Sequence, residues 1–247
     1  MAKAKLSPEL VAKLRGAIRG AIRIYTKRVA DDSLPVGTSR FGGLPDLAPG
    51  TRWPRAAKIP MTFVAQLRLE ELAPYDVDGM LPARGLLAFF VHDEVTDAKA
   101  PEMYSAHAAL YFPDAKNLER AALPAGFTDD PLRKPFATAA LRFHTTYELP
   151  SINTHEAKAL GKEAVALALP GSLELPLPST LNQVLGHDLY RDNGDVPPRG
   201  TRPLFRCDSD RQADMNFGDA EEIAFRIRDE DLVAARFDRV KLWLPAS

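Results

Sequence analysis

Short apolar runs, separated by glycine, proline and charged residues, recur along most of this chain. Runs of this kind, rich in β-branched and aromatic residues or alternating with polar ones, predict β-strands. The pattern therefore indicates a fold rich in β-structure. We predict strands at about 62–69, 86–92, 104–112, 138–148, 203–208, 222–228 and 239–244.

Two of these runs are similar to each other. Residues 87–94 read Leu-Ala-Phe-Phe-Val-His-Asp-Glu, and residues 223–230 read Ile-Ala-Phe-Arg-Ile-Arg-Asp-Glu. A second apolar run precedes each of them, and it contains a polar residue at the matching place, Gln66 in the first case and Arg206 in the second. The similarity indicates that one strand-rich unit occurs twice.

We therefore predict an α+β fold that is internally duplicated, with two pseudosymmetric, mostly antiparallel β halves, an N-terminal helix and short helices. Residues 1–247 are expected to form a single compact domain with the repeat at about 39–94 and 186–244, because neither half alone would bury much surface. The prediction requires Leu87–Val91 and Ile223–Ile227 to be equivalent strands. Ligand sites favour junctions of this kind, so a cleft is expected where the halves meet.

The N-terminal segment has the spacing of an amphipathic helix, which we predict from Ser7 to about Ala30. Ser7 suits the N-cap and Pro8 the first helical position, and apolar residues follow at intervals of three or four. The opposite face is basic, and two interpretations of it stay open: binding of an acidic surface or partner, or simple solvation. Shorter helices are predicted from Thr154 to about Ala168, from Ser179 through Leu189, and at Glu230–Ala235.

Residues 31–60 form a segment that is rich in glycine and proline and contains Trp53. Paired glycines such as Gly42 and Gly43 permit positive φ or the close approach of another group. Two interpretations stay open. The segment either lines a pocket, with Trp53 as a platform or lid, or it is a well-ordered structural loop.

Composition removes several classes of function. The net charge of −1 gives no general attraction to nucleic acid or to an acidic membrane. A single cysteine, Cys207, excludes an internal disulfide and fits a reducing compartment. No apolar run approaches the roughly 18 residues of a membrane-spanning helix, and arginines interrupt the apolar stretch that a signal peptide would need. We expect a cytoplasmic protein that binds neither nucleic acid nor membrane.

Three segments taken together resemble one protein family. They are Ser39-Arg40-Phe41-Gly42-Gly43 continuing to Trp53-Pro54, the strand pair Phe63–Leu69 and Gly85–Phe90, and Asp208-Ser209-Asp210 continuing to Met215–Ala220. These segments are similar to the SKFGG-x-P…WP, FLAQI-x-L…GLLxFF and DSD…MWGDAG motifs of the YwqG-like family of bacterial proteins, which has no established biochemical function.

The resemblance covers about residues 39–244 and implies an α+β fold with an internal duplication. Some members of the family are encoded near polymorphic toxin genes, which implies an immunity or antitoxin role with a toxin-like protein partner. The chain departs from the pattern at Arg206, where the family has glutamine, and at Phe217, where it has tryptophan. Residues 182–188 also lack the leading histidine and the Tyr-Pro pair of an H-x-x-x-G-Y-P segment. A ligand that the family binds at these positions would be changed or lost here.

The densest group of polar residues follows a predicted strand and includes Asp208, Asp210 and Asp219. An EF-hand calcium loop that begins at Asp208 would require glycine at its sixth position, where this chain has Ala213. A turn with Asx hydrogen bonds is therefore favoured over a metal site. The histidines form no zinc-binding pattern, so no metal or cofactor is predicted. Cys207 is expected to be a small buried residue rather than a nucleophile.

Gln66 and Arg206 are polar residues in apolar strands, which is costly unless their hydrogen bonds are satisfied. They either bind a ligand at the junction of the halves or bond the chain's own loops. For Arg206 we favour a closed network with Asp208 and Asp210. The candidate ligand-binding residues are Trp53, Gln66, Arg206, Asp208, Asp210 and Asp219.

Two functions from different classes stay open. The favoured one is a non-catalytic protein-binding or ligand-binding module, of the immunity type if the resemblance extends to function. The alternative is an enzyme that acts on a small polar or anionic substrate in a cleft between the halves. Binding is favoured because the sequence contains no recognisable catalytic motif.

Overall fold

The apolar runs of the sequence form the strands of one large sheet. The computed structural model describes residues 7–92, 106–130, 133–151, 154–161, 181–188, 200–218 and 222–244. Within them the strands are β1 (Arg19–Arg28), β2 (Arg40–Phe41), β3 (Asp46–Leu47), β4 (Arg55–Ala56), β5 (Ile59–Pro60), β6 (Thr62–Arg68), β7 (Leu86–Val91), β8 (His107–Phe112), β9 (Glu119–Arg120), β10 (Ala139–Glu148), β11 (Gln183–Leu185), β12 (Arg202–Asp208), β13 (Glu222–Ile227) and β14 (Lys241–Trp243). The helices are α1 (Pro8–Gly16), α2 (Leu69–Leu72), α3 (His155–Leu160) and α4 (Asp229–Val233), with 3₁₀ turns at Ala73–Tyr75 and Phe237–Arg239.

Ten of these strands form a single sheet in the order β14-β13-β12-β11-β1-β10-β2-β6-β7-β8. Every neighbouring pair is antiparallel. We call β8, β7, β6, β2 and β10 the β8 side of the sheet, and β14, β13, β12, β11 and β1 the β14 side. The prediction of a mostly antiparallel β-rich fold with short helices is confirmed. Leu87–Val91 and Ile223–Ile227 are both strands, as the sequence predicts.

The N-terminal helix is shorter than predicted. It begins at Pro8, where Leu10 N donates to the Oγ of the N-cap residue Ser7 over 3.2 Å, but it ends at Gly16. Residues 19–28 form β1, which pairs with β10 on one edge and with β11 on the other. The prediction beyond Gly16 was wrong because this segment also alternates with a period of two, and β-branched residues favour a strand between two hydrogen-bonding neighbours.

The middle of the chain requires a second correction. The helix predicted from Ser179 through Leu189 is absent from the described residues 181–188, where Gln183–Leu185 is the strand β11 between β1 and β12. The helix predicted at Thr154 is present as α3, and Ala157 N donates to the Oγ1 of Thr154 over 3.2 Å. The predicted continuation of that helix to Ala168 lies outside the described residues.

The main core lies on the concave face of the sheet and joins both of its sides. The ring of Phe89 on β7 lies 4.9 Å from that of Phe205 on β12 and 4.8 Å from that of Phe225 on β13. The sheet is nearly closed, because its two edges approach each other: His107 Nε2 on β8 lies 2.9 Å from the carbonyl oxygen of Val240, just before β14. No helix in the described residues is long and apolar enough to cross a membrane.

Candidate functional site

Three polar side chains lie in one row across neighbouring strands of the β14 side. Arg23 on β1 is opposite Gln183 on β11, and Gln183 is opposite Arg206 on β12. Residues directly opposite each other on paired strands project from the same face, and this face is the one opposite the phenylalanine core. All three residues are buried, with exposed fractions of 9% for Arg23, 0% for Gln183 and 2% for Arg206.

Two carboxylates neutralise the two arginines of this row. Glu148, at the end of β10, accepts from Arg23 Nη2 over 3.2 Å and from Gln183 Nε2 over 3.0 Å. Glu222, at the start of β13, accepts from Arg206 Nη2 over 2.6 Å. We call these five residues the polar cluster. Its formal charge is zero, because two guanidinium groups face two carboxylates.

Three atoms of the polar cluster have no hydrogen-bond partner although they are buried. They are Arg23 Nη1, Gln183 Oε1 and Arg206 Nη1. Burial lowers the pKa of Arg23; the charge of Glu148 opposes this effect, and the charge of Arg206 adds to it. The two guanidinium groups are therefore close enough to repel each other. A buried polar atom without a partner costs about 1–3 kcal/mol, so native proteins usually provide one as protein, water or ligand.

Gly186 creates the space that the carboxylate of Glu148 occupies. Its φ is +81°, and a Cβ at this position would lie 2.5 Å from Glu148 Oε2 and 2.6 Å from Gln183 Nε2. The backbone N–H of His187 donates to Glu148 Oε2 over 3.0 Å. The turn after β11 is thus shaped around this carboxylate.

A cleft with a volume of about 540 Å³ lies on the β14 side, and its lining residues do not include those of the polar cluster. Arg19, one of its lining residues, is opposite Glu148 in the pairing of β1 with β10. Glu156, another lining residue, accepts from Arg19 Nη2 over 2.8 Å and lies 3.0 Å from His187 Nδ1. Polar contacts therefore lead from the cleft to Glu148. The cleft is lined by Arg19, Glu156, Gly200, Thr201, Arg202, Arg228, Asp229 and Glu230.

Gln66 belongs to a different cluster on the β8 side. It is opposite Arg40, and its Nε2 donates to Asp46 Oδ2 over 2.6 Å, while its Oε1 accepts from Asp46 N over 2.8 Å. Asp46 Oδ2 also accepts from Arg40 Nη2 over 3.2 Å, and Asp46 Oδ1 accepts from Arg120 Nε over 2.5 Å. Burial lowers the pKa of Arg40 to about 10, against the charge of Asp46. Four strands separate β6 from β12, so the structure does not bring Gln66 into the row of Arg206.

Asp208, the last residue of β12, and Asp210 just after it accept hydrogen bonds from neighbouring segments of the chain. Asp208 Oδ2 accepts from the N–H of Leu181 over 3.0 Å. Asp210 Oδ2 accepts from Thr26 Oγ1 over 2.7 Å and from Asn182 Nδ2 over 2.9 Å. The expected network of Arg206 with these two aspartates is not formed, because Glu222 is opposite Asp208 in the pairing of β12 with β13 and bonds the arginine instead.

Trp53, another predicted residue, lies apart from the polar cluster. Trp53 is in the glycine-rich segment on the β8 side, where its Nε1 donates to the carbonyl oxygen of Met61 over 2.8 Å and its ring contacts Phe90. Asp219 lies outside the described residues. Burial, and then the charge of Asp210, raise the pKa of Cys207 well above its usual range. The described residues contain no group of three or more His, Cys, Asp or Glu placed to hold a metal ion.

The sequence indicates Arg206 but not the rest of the polar cluster. It predicts Arg23 on the basic face of the N-terminal helix and Gln183 within a second helix. The alternation Ile22-Arg23-Ile24 was the available signal, because it places an arginine on the face of a strand opposite two apolar residues. Glu148 and Glu222 carry no local pattern that indicates their partners.

The comparisons with known proteins give a family but no activity. Residues 39–245 match the family described as "Domain of unknown function (DUF1963)". Glu148, Gln183, Arg206 and Glu222 lie within the match, and Arg23 precedes it. No curated protein shows significant similarity to the chain. The match covers most of the sequence and agrees with the expectation of a family without an established function: the chain belongs to the DUF1963 family.

Proposed function

We propose that this protein is a non-catalytic ligand-binding protein whose ligand enters the cleft and contacts the polar cluster behind it. One observation carries the proposal: Arg23 Nη1, Gln183 Oε1 and Arg206 Nη1 are buried without partners on three adjacent strands. Leaving three such atoms unsatisfied would cost several times the roughly 1–3 kcal/mol of a single one. A bound molecule that completes their hydrogen bonds recovers this free energy as binding affinity.

The cleft supports the proposal by its size and its chemistry. Its volume of about 540 Å³ falls in the range of small-molecule sites, about 300–1,000 Å³. Arg19 and Glu156 at the cleft are linked to Glu148 through His187, and these contacts mark the path by which we propose the ligand reaches the cluster. We expect the side chains of the cleft to orient the ligand and the cluster to select it.

We also propose that the sheet arose by internal duplication within a single domain spanning residues 1–247, with the repeat near 39–94 and 186–244. The strand order supports this, because β8-β7-β6-β2-β10 on one side corresponds to β14-β13-β12-β11-β1 on the other. A register shift lies between Phe63 and Ala65 in β6 and another between Pro203 and Phe205 in β12, and both intervals are 140 residues apart in the sequence.

The residues around the two clusters support the same correspondence. Gln66 is opposite both Arg40 and Ala88, while Arg206 is opposite both Gln183 and Ala224. The two short strands β2 and β11 are each followed by positive φ angles. These are Gly42 at +59° and Gly43 at +67° after β2, and Leu185 at +60° and Gly186 at +81° at the end of β11.

The alternative of an enzyme has less support. A catalytic base needs a free lone pair, but His187 Nδ1 faces Glu156 and its Nε2 lies 2.8 Å from the carbonyl oxygen of Ala17. The hydrogen bond from His187 lowers the pKa of Glu156 to about 2, against the effect of burial. A carboxylate with so low a pKa is a poor general acid at neutral pH. Cys207 is fully buried, so a substrate does not reach it.

The finer expectations from the sequence stay predictions within this proposal. They are membership of the YwqG-like group, a bacterial origin, a cytoplasmic location, and an immunity-type role with a toxin-like partner. Trp53, Gln66, Asp208, Asp210 and Asp219 also remain proposed ligand-binding residues. Among the predicted residues we give the central role to Arg206, because it is the one that belongs to the polar cluster.

A thermal-stabilisation screen tests the proposed function. Neutral polyols, amino acids, phosphates, carboxylates and nucleotides are added to the wild type and to the double variant Arg206→Met/Glu222→Gln, which removes both charges of one pair. We expect at least one compound class to raise the Tm of the wild type but not that of the double variant. The Lys134→Ala protein is the matched control, since Lys134 pairs with Asp214 at the exposed surface.

Two results would contradict the proposal. One is that no class stabilises the wild type, or that the double variant responds equally. The other is turnover: mass spectrometry should recover the stabilising compound unchanged after prolonged incubation with the protein, and a chemically altered product would favour the enzyme instead.

A further inference from the structure

We infer that the polar cluster binds a hydroxyl group of a neutral, polyhydroxylated ligand, such as a sugar or another polyol. The inference rests on the proposed function, since it names the class of ligand for the same site. Its first support is the hydrogen-bond inventory. The unpartnered atoms are two N–H donors, on Arg23 and Arg206, and one acceptor, Gln183 Oε1.

A hydroxyl group complements this inventory. Its oxygen accepts two hydrogen bonds and its O–H donates one. A carboxylate or phosphate oxygen only accepts when ionised, so it would face Gln183 Oε1 with lone pairs on both sides. The orientation of the Gln183 amide is fixed by its Nε2, which donates to Glu148 Oε2 and to the carbonyl oxygen of Leu185, each over 3.0 Å.

The charge of the cluster favours the same ligand. Arg23 is neutralised by Glu148 and Arg206 by Glu222, so a neutral group leaves the buried charge at zero. An added anion would bring a net negative charge into a region where the side chains of the row are almost fully buried. Burial of an uncompensated charge is far more costly than burial of a hydroxyl group that makes all its hydrogen bonds.

The Asp46 cluster on the β8 side has a different balance of positive and negative charges. There two arginines, Arg40 and Arg120, face the single carboxylate of Asp46, which is completely buried. The side-chain amide of Gln66 bonds the same aspartate twice, since its Nε2 donates to the carboxylate and its Oε1 accepts from the backbone N–H. On this side, two arginines and one glutamine carry one positive charge more than Asp46 neutralises, and the anion that they bind is the side chain of Asp46. The polar cluster has no surplus charge and leaves a donor–acceptor set that suits a neutral group.

The cleft indicates that the ligand carries more than one hydroxyl group. Its lining contains two ion pairs, Arg19 with Glu156 and Arg202 with Asp229, which place donors and acceptors side by side. Neighbouring hydroxyl groups use both kinds, because each can donate to a carboxylate and accept from a guanidinium group. A single alcohol would satisfy the cluster but leave the cleft filled with water.

Calorimetric titration of the full-length protein with matched probes tests the inference. The probes are glucose, sorbitol and inositol, compared with the charged compounds glucuronate and glucose 6-phosphate. We expect the neutral probes to bind more tightly than the charged ones. The Gln183→Met variant, which lacks the acceptor, should weaken binding of the neutral probes by about tenfold or more. Gln212→Met is the matched control, because Gln212 bonds Arg28 near the surface and not the cluster.

A second measurement uses only the wild-type protein, so it does not depend on whether the variants fold. In the wild-type protein, addition of sorbitol should shift the side-chain amide resonances of Gln183 in an ¹⁵N-correlated spectrum and leave those of Gln212 unchanged. Absence of that shift at saturating sorbitol overturns the inference without any substitution.

The outcomes separate this inference from the proposed function. If the charged probes bind and the neutral ones do not, and Gln183→Met weakens that binding, the ligand class is wrong while the proposed function stands. If no probe binds, and a crystal structure grown with sorbitol contains an ordered water only at the three atoms, the inference is overturned, and the proposed function is then decided by the wider stabilisation screen. Binding that Gln183→Met leaves unchanged places the ligand elsewhere and overturns both.

Discussion

Asp46 is a buried charge that is held by several partners at once. It is completely buried and accepts hydrogen bonds from Arg40, Gln66, Arg120 and the backbone of Gly37. Removal of one member of a buried ion pair leaves the other charge uncompensated in a medium of low polarity, and this effect outweighs the lost attraction. A single aspartate therefore stabilises the junction of β2, β3, β6 and β9.

Asp46→Asn should lower the free energy of unfolding by roughly 3–5 kcal/mol, because the buried guanidinium of Arg40 loses its counter-charge while the shape of the side chain is kept. Urea unfolding followed by circular dichroism measures the change. Asp214→Asn is the control: that carboxylate bonds Lys134 over 2.9 Å at the surface, and its loss should leave the unfolding midpoint unchanged. Equal effects of the two substitutions would show that burial does not determine the contribution of Asp46.

Gly186 permits a second test at the scale of single residues. A Cβ there would meet Glu148, Gln183 and the Cβ of Ala21 at 2.5–2.7 Å, whereas a Cβ at Gly50 meets nothing within 4 Å. Both glycines have a similar positive φ, +81° and +78°. Comparison of alanine substitutions at the two glycines therefore separates the cost of steric crowding from the cost of backbone strain.

Gly50→Ala should cost about 1 kcal/mol, the strain of a left-handed alanine. Gly186→Ala should cost roughly 1–3 kcal/mol more, because the added methyl displaces the carboxylate of Glu148 from a tightly packed site. Chemical denaturation of both variants gives the difference. If the two alanine variants are equally stable, the space at Gly186 is not needed for the polar cluster.

At the scale of whole elements, the sequence predicted the strands better than the helices. The strands β6, β7, β10, β12 and β13 were predicted within a residue or two, since buried apolar runs carry a strong signal. β1 and β11 were predicted as helix. Both lie between two other strands, and the hydrogen bonds of these neighbours decide their conformation. Local spacing does not contain such long-range pairing, and for the same reason the partners Glu148 and Glu222 were not predicted.

One histidine forms polar contacts that join the end of β11 to α1 and α3. His187, just after β11, places one ring nitrogen against Glu156 on α3 and the other against the carbonyl oxygen of Ala17 after α1. Glu156 also accepts from Arg19 Nη2 on β1 over 2.8 Å. The charge of Glu156 is therefore part of how these elements are held together.

Acid should weaken this contact within a defined pH range. The pKa of Glu156 is lowered from 4.5 to about 2, so its carboxylate stabilises the folded state above about pH 4.5, and this contribution is lost as the pH falls toward 2. We expect Glu156→Gln to be less stable than the wild type at pH 6, with the difference shrinking at pH 2.5. Paired urea denaturation at the two pH values measures it. A difference that stays constant would show that the ionisation of Glu156 does not contribute.

On the scale of the whole molecule, the two sides of the sheet share one core. The aromatic cluster of Phe89, Phe205 and Phe225 takes one ring from the β8 side and two from the β14 side. The ring of Tyr111 on β8 also lies 4.9 Å from that of Phe237 near the opposite edge. Neither side buries its part of this core without the other, so the polar cluster and the Asp46 cluster are kept in place by the same folding unit.

The two tryptophans of the chain report on different sides, since Trp53 lies on the β8 side and Trp243 on β14. In the Trp243→Phe protein, the fluorescence of Trp53 and the circular dichroism signal should have the same urea midpoint. In the Trp53→Phe protein, the fluorescence of Trp243 and the circular dichroism signal should also share one midpoint. Adding Phe89→Ala should lower the midpoint of both probes together, with a cost of about 3–5 kcal/mol. Val233→Ala, at an exposed position, is the control and should change neither. If one fluorescence transition precedes the other, the two sides unfold separately and the shared core does not couple them.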